Sequence, residues 1–176
     1  RRWLMQANPG LAALITDNIG DGWTRDLSRL RDLAPLSVYP AFRAQFRAVK
    51  HGNKQRLAEM VLRELNIAID PHSLFDVQIK RMHEYKRQLL HALGIIDEYL
   101  RIAEGGETSV TPRVHIFGGK AAPGYFMAKL IIRLINNIAA VVNSDPRVGN
   151  ALKVVFLPDY KVSLAEIIIP GADLSE

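Results

Sequence analysis

The feature that most constrains the fold is a regular alternation of strand-like and helix-like segments in the second part of the chain. Phe75, Val77 and Ile79 alternate with polar side chains, as in a strand that has one apolar face. Residues 114–117 and 152–157 are further strand-like apolar runs, and stretches with helical periodicity separate the three. Because strands that alternate with helices form parallel sheets through crossovers, the pattern predicts an α/β fold with a Rossmann-like parallel sheet flanked by helices.

The periodicity of the two intervening helices predicts their inward faces. The second helix begins after Pro123 and must end by residues 143–146, where Asn, Ser, Asp and Pro follow one another. A further apolar stretch covers residues 164–169. The predicted inward residues are Leu89, Leu93, Ile96 and Leu100 in the first helix, and Met127, Ile131, Leu134, Ile138, Val141 and Val142 in the second.

The first third of the chain is predicted to be helical, with three helices before residue 67. The first of them follows the turn at residues 8–10 and can end at Gly20. Thr24 is the expected N-cap of a second, short helix that buries Leu27, Leu30 and Leu33. A longer third helix follows Pro40, and Gly52 is expected to break or kink it. We therefore divide the chain into a helical segment, residues 1–66, and a truncated Rossmann-like part, residues 67–176.

Composition narrows the possible functions. The chain is 48% hydrophobic, enough for one domain with a core, and no window approaches the eighteen or more uninterrupted apolar residues of a membrane span. Its net charge is +5, but acids interleave with the basic residues, as at Arg25 and Asp26, which does not favour nucleic-acid binding. The absence of cysteine excludes disulfides and thiolate zinc sites and fits a reducing compartment, so we expect a cytoplasmic protein without a membrane partner.

A cluster of cations marks the end of the first predicted strand. Lys80, Arg81, Lys86 and Arg87 lie within eight residues, and their side chains suit phosphate oxygens. Such a cluster can also be a solvated helix start. Cations at a helix N-terminus oppose the helix dipole, however, which makes a bound anion a plausible reason for their presence.

Other motifs give weaker or negative indications. His83-Glu84 lacks the second histidine of a metalloprotease motif, because Arg87 stands in its place. Residues 118–124, which contain three glycines between a strand and a helix, are neither a Walker A loop nor GxGxxG, and fit a second phosphate-compatible turn or simply a tight turn. The other histidines show no shared ligand spacing, so the sequence predicts no metal site: His51, His72, His91 and His115.

Several stretches together resemble the glycogen or α-glucan phosphorylase family. They are WL and NPGL at residues 3–4 and 8–11, FDVQIKRMHEYKRQLL at 75–90, GGKAAPGY at 118–125, FLPDY with VS at 156–163, and ADLSE at 172–176. The resemblance implies a fragment of the C-terminal, cofactor-binding domain of a two-domain GT-B glycosyltransferase. The implied reaction is cleavage of terminal α-1,4-glucosidic bonds by inorganic phosphate, giving glucose 1-phosphate with retention, and the implied parent enzyme is a cytoplasmic homodimer.

The resemblance also assigns roles to particular residues. Lys80 is similar to the lysine that contacts the phosphate of pyridoxal 5′-phosphate, and Arg81 and Lys86 to the residues that hold substrate phosphate; these three are the expected catalytic residues. In this family the cofactor phosphate relays a proton to substrate phosphate, which explains a dense group of cations. Tyr85 is similar to a tyrosine of the glucose site. The remaining residues implied for the cofactor pocket are Trp3, Tyr160, Lys161, where some members have Arg, and Val162.

Two expectations follow from this assignment. We expect the side chains of Lys80, Arg81 and Lys86 to converge on one anion site at the carboxyl edge of the sheet. The family's Schiff-base lysine and a Gly/Thr-rich phosphate loop would lie beyond Glu176, and a glucan-binding domain would precede the chain, so the isolated chain is expected to be inactive. The alternative is a non-catalytic phosphate- or nucleotide-sugar-binding module with the same sheet; a basic RNA-binding domain has little support.

Overall fold

A computed structural model of the chain describes residues 1–105 and 111–176, which form two compact units. Unit 1 comprises Arg1–Leu57 and Ser163–Gly171, and unit 2 comprises Ala58–Val162 and Ala172–Glu176. The division falls inside a continuous helix, and the predicted limit between residues 66 and 67 stays a prediction.

Unit 1 is helical, in agreement with the helical segment predicted for the N-terminal part. Asn8 caps the second helix, because its side-chain oxygen accepts a hydrogen bond from the Leu11 amide at 3.2 Å. Gly20, with φ of 75°, ends that helix as predicted. The elements are helices α1 (Arg2–Ala7) and α2 (Pro9–Ile19), 3-10 helices at Asp21–Thr24 and Leu27–Val38, α3 (Pro40–Leu65), which continues into unit 2, and α6 (Val162–Gly171), whose first residue belongs to unit 2.

Three local predictions for the N-terminal helices are wrong. The short helix begins at Leu27, and its cap is Asp26 instead of Thr24, because the Asp26 carboxylate accepts a hydrogen bond from the Ser28 amide at 3.0 Å. This helix has the tighter 3-10 pitch and buries none of its residues, so Leu27 is exposed. Gly52 does not break α3, which runs without interruption from Pro40 to Leu65.

Unit 2 contains the predicted parallel sheet. Its described residues form strands β1 (Leu74–Ile79), β2 (Arg113–Gly118), β3 (Leu152–Leu157) and the short β4 (Leu174–Ser175), in the order β3-β2-β1-β4 and all parallel. Helix α4 (Gln88–Ala103) connects β1 to β2, and α5 (Phe126–Ser144) connects β2 to β3. The predicted α/β class and the end of α5 at the Asn-Ser-Asp-Pro turn are confirmed.

The register of the three long strands makes their carboxyl ends level. Ile79 pairs with Gly118, which pairs in turn with Leu157. The pairing of the chain continues beyond the strands, because the Lys80 amide donates to the Gly118 carbonyl at 3.0 Å and the Met82 amide to the Lys120 carbonyl at 3.1 Å. The segments that follow β1 and β2 therefore leave the sheet side by side.

Helices α4 and α5 both contribute to one core cluster with β2 and β3, although their inward faces differ in part from the prediction. Ile131, Ile138 and Val142 of α5 are buried as expected. Ala128, Ile135 and Ala139 are buried too, whereas Met127 and Val141 are exposed and Leu134 is half-buried. In α4 the buried positions are Gln88, Ala92, Ile95, Glu98 and Ile102, while Leu89, Leu93 and Leu100 are exposed.

The nineteen residues of α5 are long and apolar enough to cross a membrane by length and composition. Core helices of soluble proteins have the same character, and the inward residues of α5 belong to the core cluster of unit 2. This property is therefore weak evidence for a membrane span.

Candidate anion site at the carboxyl edge of the sheet

A depression of about 400 Å³ opens beside the carboxyl end of β1. Lys80, Lys86 and Arg87 supply three cations to its lining, and Glu176 is the one acid among the lining residues. The remaining lining residues are Gln78, Leu90 and His91. Because cations outnumber acids at its wall, the depression is suited to an anion with several oxygens.

The turn between β1 and α4 brings Lys86 back towards the end of the strand. Residues Glu84–Lys86 form one turn of 3-10 helix, and Arg87, with φ of 62°, takes the left-handed conformation that starts α4 in a new direction. The Gln78 side-chain amide donates to the Lys86 carbonyl at 3.2 Å, which joins the turn to the strand. The depression is therefore held by backbone geometry and by a buried amide.

A second buried amide fixes the middle of the same turn. Gln88, which is completely buried, donates from Nε2 to the Arg81 carbonyl at 3.2 Å, and its Oε1 accepts from the His83 amide at 3.3 Å. Sequence analysis did not identify Gln78 or Gln88. The sequence gives no signal for either residue, because Gln78 falls in the polar alternation of β1 and Gln88 lies off the predicted leucine face of α4.

The structure brings two of the three predicted catalytic residues together. Lys80 and Lys86 line one depression, and Arg87, to which no role was assigned, lines it with them. Arg81 lies on the exposed part of the turn, outside this lining. The contact of Arg81 with substrate phosphate stays a prediction.

Tyr85 lies at the tip of the turn and is 71% exposed. Its ring is tilted against His83 with a centroid distance of 4.3 Å. Beside it, the Tyr125 hydroxyl donates to Glu84 Oε2 at 2.7 Å, and this hydrogen bond raises the pKa of Tyr125 above its ordinary value. The turn before α4 is thus joined to the turn before α5. The predicted contact of Tyr85 with glucose stays a prediction.

Close packing requires the glycine that follows β2. A Cβ atom at Gly119 would lie 2.5 Å from the Lys80 carbonyl oxygen, and one at Gly118 would lie 3.0 Å from Ile79 Cγ2 and 3.7 Å from Tyr160 Cδ2. Steric demand therefore accounts for Gly119 without a ligand, whereas a side chain at Gly118 would need only a small shift of Ile79.

The turn after β3 contains an ion-paired carboxylate that sequence analysis missed. Asp159, with φ of 51°, contacts Lys120 Nζ at 2.8 Å and Lys161 Nζ at 3.6 Å. The hydrogen bond from Lys120 holds the pKa of Asp159 below its ordinary value. Tyr160 is half-buried, and Lys161 and Val162 are exposed.

Trp3 belongs to unit 1, where it lines a mainly apolar depression of about 250 Å³ with Leu11, Phe46 and Val49. Its predicted role in the cofactor pocket stays a prediction.

The residues of unit 2 fit the phosphate end of pyridoxal 5′-phosphate. A phosphate needs several donors with net positive charge, and the depression offers Lys80, Lys86 and Arg87 against Glu176. The Tyr160 ring lies near Gly118 at the same edge of the sheet, because Gly118 is the register partner of Ile79 at the end of β1.

A level parallel sheet with cations at its carboxyl edge is the arrangement of α/β proteins that bind phosphate groups. Comparison with known proteins makes this more specific. The sequence matches the carbohydrate phosphorylase family over residues 1–176, and the chain therefore belongs to that family of carbohydrate metabolism.

The relatives include several glycogen phosphorylases. The chain is 54% identical over 177 residues to glycogen phosphorylase 2 of Dictyostelium discoideum, 51% identical over 176 residues to the glycogen phosphorylase of Synechocystis sp., and 52% identical over 176 residues to the muscle form of Oryctolagus cuniculus. All of this chain is covered in each case, but only 18%, 21% and 21% of these relatives, in the same order. The chain thus spans about a fifth of the length of the curated relatives it matches.

Proposed function

We propose that the chain is the phosphate-holding part of an α-glucan phosphorylase, a retaining glucosyltransferase that acts in the cytoplasm as a homodimer. The substrates would be an α-1,4-glucan and inorganic phosphate, and the products a glucan shortened by one unit and glucose 1-phosphate. Similarity to glycogen phosphorylases over the whole of this chain supports this reaction class.

The observation that carries the proposal is the shared depression of Lys80, Lys86 and Arg87 at the carboxyl end of β1. In the proposed reaction two phosphates lie side by side, one from the substrate and one from the cofactor. Their mutual repulsion has to be offset by cations that are already in position, because preorganised charge stabilises a transition state most effectively. Gln78 and Gln88 hold the turn that supplies these cations.

The reaction breaks the bond between C1 of the terminal glucose and O4 of the next unit, and forms a bond between C1 and a phosphate oxygen. The proton delivered to O4 comes from substrate phosphate, so the numbers of atoms and protons balance. When bound, pyridoxal 5′-phosphate supplies a second phosphate that exchanges a proton with the substrate phosphate. Lys86 and Arg81 would hold substrate phosphate, Lys80 would fix the neighbouring phosphate, and Tyr85 would contact the glucose.

The experiment is steady-state phosphorolysis of glycogen by the full-length protein. We expect Arg81→Ala to lower kcat/KM by about 10²- to 10³-fold, as the loss of a charged donor from a transition-state site does. Lys86→Gln tests the cation that lines the depression in the structure and should have an effect of the same order. Arg133→Ala, a change of an exposed arginine of α5, is the matched control. Near-normal turnover of Arg81→Ala at saturating phosphate would contradict its role, and near-normal turnover of both variants would contradict the proposed function.

A further inference from the structure

A second group of polar side chains lies in unit 2 on strands β1 and β2 and on helix α4. Asp76 and His115 are register partners on the adjacent strands, and both are at least 95% buried. His91 projects from α4, and its Nε2 lies 2.9 Å from His115 Nδ1. His115 Nδ1 is 3.8 Å from Asp76 Oδ2. The three donor atoms all lie within 4.8 Å of one another, as metal-ligating atoms do.

Hydrogen bonds to the outer nitrogens determine the tautomers of both imidazoles. Gln78 donates from Nε2 to the Lys86 carbonyl, so its Oε1, 3.1 Å from His91 Nδ1, has to accept the proton of that nitrogen. The Glu98 carboxylate likewise accepts from His115 Nε2 at 3.0 Å. In neutral rings the two inner nitrogens therefore carry lone pairs, and these lone pairs face each other.

The lone pairs of His91 Nε2 and His115 Nδ1 repel each other across 2.9 Å, so a cation has to lie between them. Asp76 adds an independent observation: its Oδ1 is buried and has no hydrogen-bond partner among the described residues. An unpaired buried carboxylate oxygen is costly, and a metal ion is one of the few partners that satisfy it.

The local charges also favour a cation. The cavity around the cluster, about 350 Å³, is lined by the acids Asp76, Glu98 and Glu176 and by the cations Arg101 and Arg113. Arg101 pairs with Asp97 at 3.1 Å, so it neutralises a carboxylate outside the cluster. The lining thus holds three acids against two arginines, of which Arg113 pairs with Asp76 at 3.9 Å and with Glu98 at 4.0 Å. A divalent ion would offset the remaining negative charge.

We propose that Asp76, His91 and His115 form a binding site for a divalent transition-metal ion, of which Zn²⁺ suits the donor set best. His91 Nε2, His115 Nδ1 and the Asp76 carboxylate would be the ligands, and the fourth position would face the cavity. Gln78 and Glu98 would orient the imidazoles from the outer side, as carboxylates and amides do around metal-bound histidines. Nitrogens bound at about 2.0–2.1 Å in a tetrahedron lie about 3.3–3.4 Å apart, so binding requires the rings to separate by about 0.4 Å.

This site is separate in chemistry from the anion site, although His91 lines both cavities. The proposal does not depend on the proposed phosphorolysis. Its ligands come from three elements of the β-α-β unit, which explains why their positions in the sequence show no metal-binding motif.

The test is titration of the metal-stripped full-length protein with Zn²⁺ by calorimetry and with Co²⁺ by visible absorption. We expect binding of Zn²⁺ at this site and the d–d bands of four-coordinate Co²⁺. Asp76→Asn and His91→Gln should each weaken binding by more than about 100-fold, and Glu98→Gln by about 10- to 100-fold, as changes of orienting groups do. His72→Gln, a change of an exposed histidine, is the control and should bind as the unchanged protein does.

Two results would overturn the proposal. One is metal binding that is unaffected by His91→Gln and Glu98→Gln, since the ion then lies elsewhere. The other is a nitrogen NMR spectrum that shows a proton shared by His91 and His115 and does not change at millimolar Zn²⁺. Circular dichroism identifies a variant that fails to fold, and in that case Glu98→Gln, which keeps the shape of the side chain, decides the question.

Discussion

Helices α4 and α5 contribute to the same core cluster but use their inward faces differently. The buried residues of α5 are all apolar, with Ile131, Ile135 and Ile138 along its length. Those of α4 include Gln88 and Glu98, and His91 also points into a polar cluster. The difference shows that α5 mainly packs, whereas α4 gives part of its inward face to polar groups that hold the β1 turn and contact the strands.

The polar groups on the inward face of α4 explain why its leucines are exposed. Leu93 is 51% exposed and Leu100 is 42% exposed, although both lie on the more hydrophobic side of the helix. The polar contacts of Gln88 and Glu98 fix the rotation of the helix, so Ala92, Ile95 and Ile102 contact the core in place of the leucines.

The largest expected difference between the helices concerns packing. Ile135→Ala in α5 should lower the free energy of unfolding by about 2–5 kcal/mol, because it leaves a cavity in a core cluster. Leu93→Ala in α4 is the matched control, with an expected loss of less than about 1 kcal/mol. Urea denaturation measures both, and equal losses would show that α4 packs as α5 does.

A smaller effect is expected from the buried amide at the start of α4. Gln88→Leu removes the partners of the Arg81 carbonyl and the His83 amide and should cost about 1–3 kcal/mol. Amide hydrogen exchange at His83 should accelerate, which loss of packing alone would not produce. Gln55→Leu, at an exposed position of α3, is the control. Unchanged exchange at His83 would contradict the role of Gln88 in holding the turn.

The smallest effect concerns the contact that joins the two helices away from the anion site. Hydrogen bonds from Arg147 and from the Tyr99 hydroxyl hold the pKa of Asp145, the C-cap of α5, well below its ordinary value of 3.8. The charged carboxylate therefore stabilises the folded state above pH 3.8, and this contribution is lost as the pH falls through the lowered pKa. The difference in Tm between the unchanged protein and Asp145→Asn should shrink in strong acid. Asp97→Asn, at an exposed position of α4, should show a smaller difference at every pH, and a difference for Asp145→Asn that does not depend on pH would contradict the assignment.

Much of the architecture could be predicted from the sequence because it depends on periodicity. The switch from helical to alternating patterns identified β1, and the phosphate-compatible residues around Lys80 and Gly119 lie at the carboxyl edge as expected. The rotation of α4 could not be predicted, since hydrophobicity favours the leucine face and the buried amides that override it require tertiary contacts. The family resemblance groups Arg81 with Lys86, but the 3-10 turn and the left-handed Arg87 determine which cations line the depression.

The cluster of Asp76, His91 and His115 was even less predictable from the sequence. His91 and His115 are 24 positions apart, and Asp76 lies 15 positions before His91, so no local motif relates them. The pairing of β1 with β2 places Asp76 opposite His115, and α4 brings His91 to the pair. A sheet register and a helix rotation thus create a cluster that spacing along the chain does not reveal.

The close approach of Gly119 to the Lys80 carbonyl also bears on how such chains can diverge. Any side chain at position 119 would collide with the backbone of the neighbouring turn, so a lineage can change this glycine only if it also reshapes residues 80–82. Position 119 and residues 80–82 are therefore expected to change together, and a homologue without the glycine would be expected to have its cations arranged differently. The presence of one glycine can in this way indicate the shape of a turn almost forty residues away in the sequence.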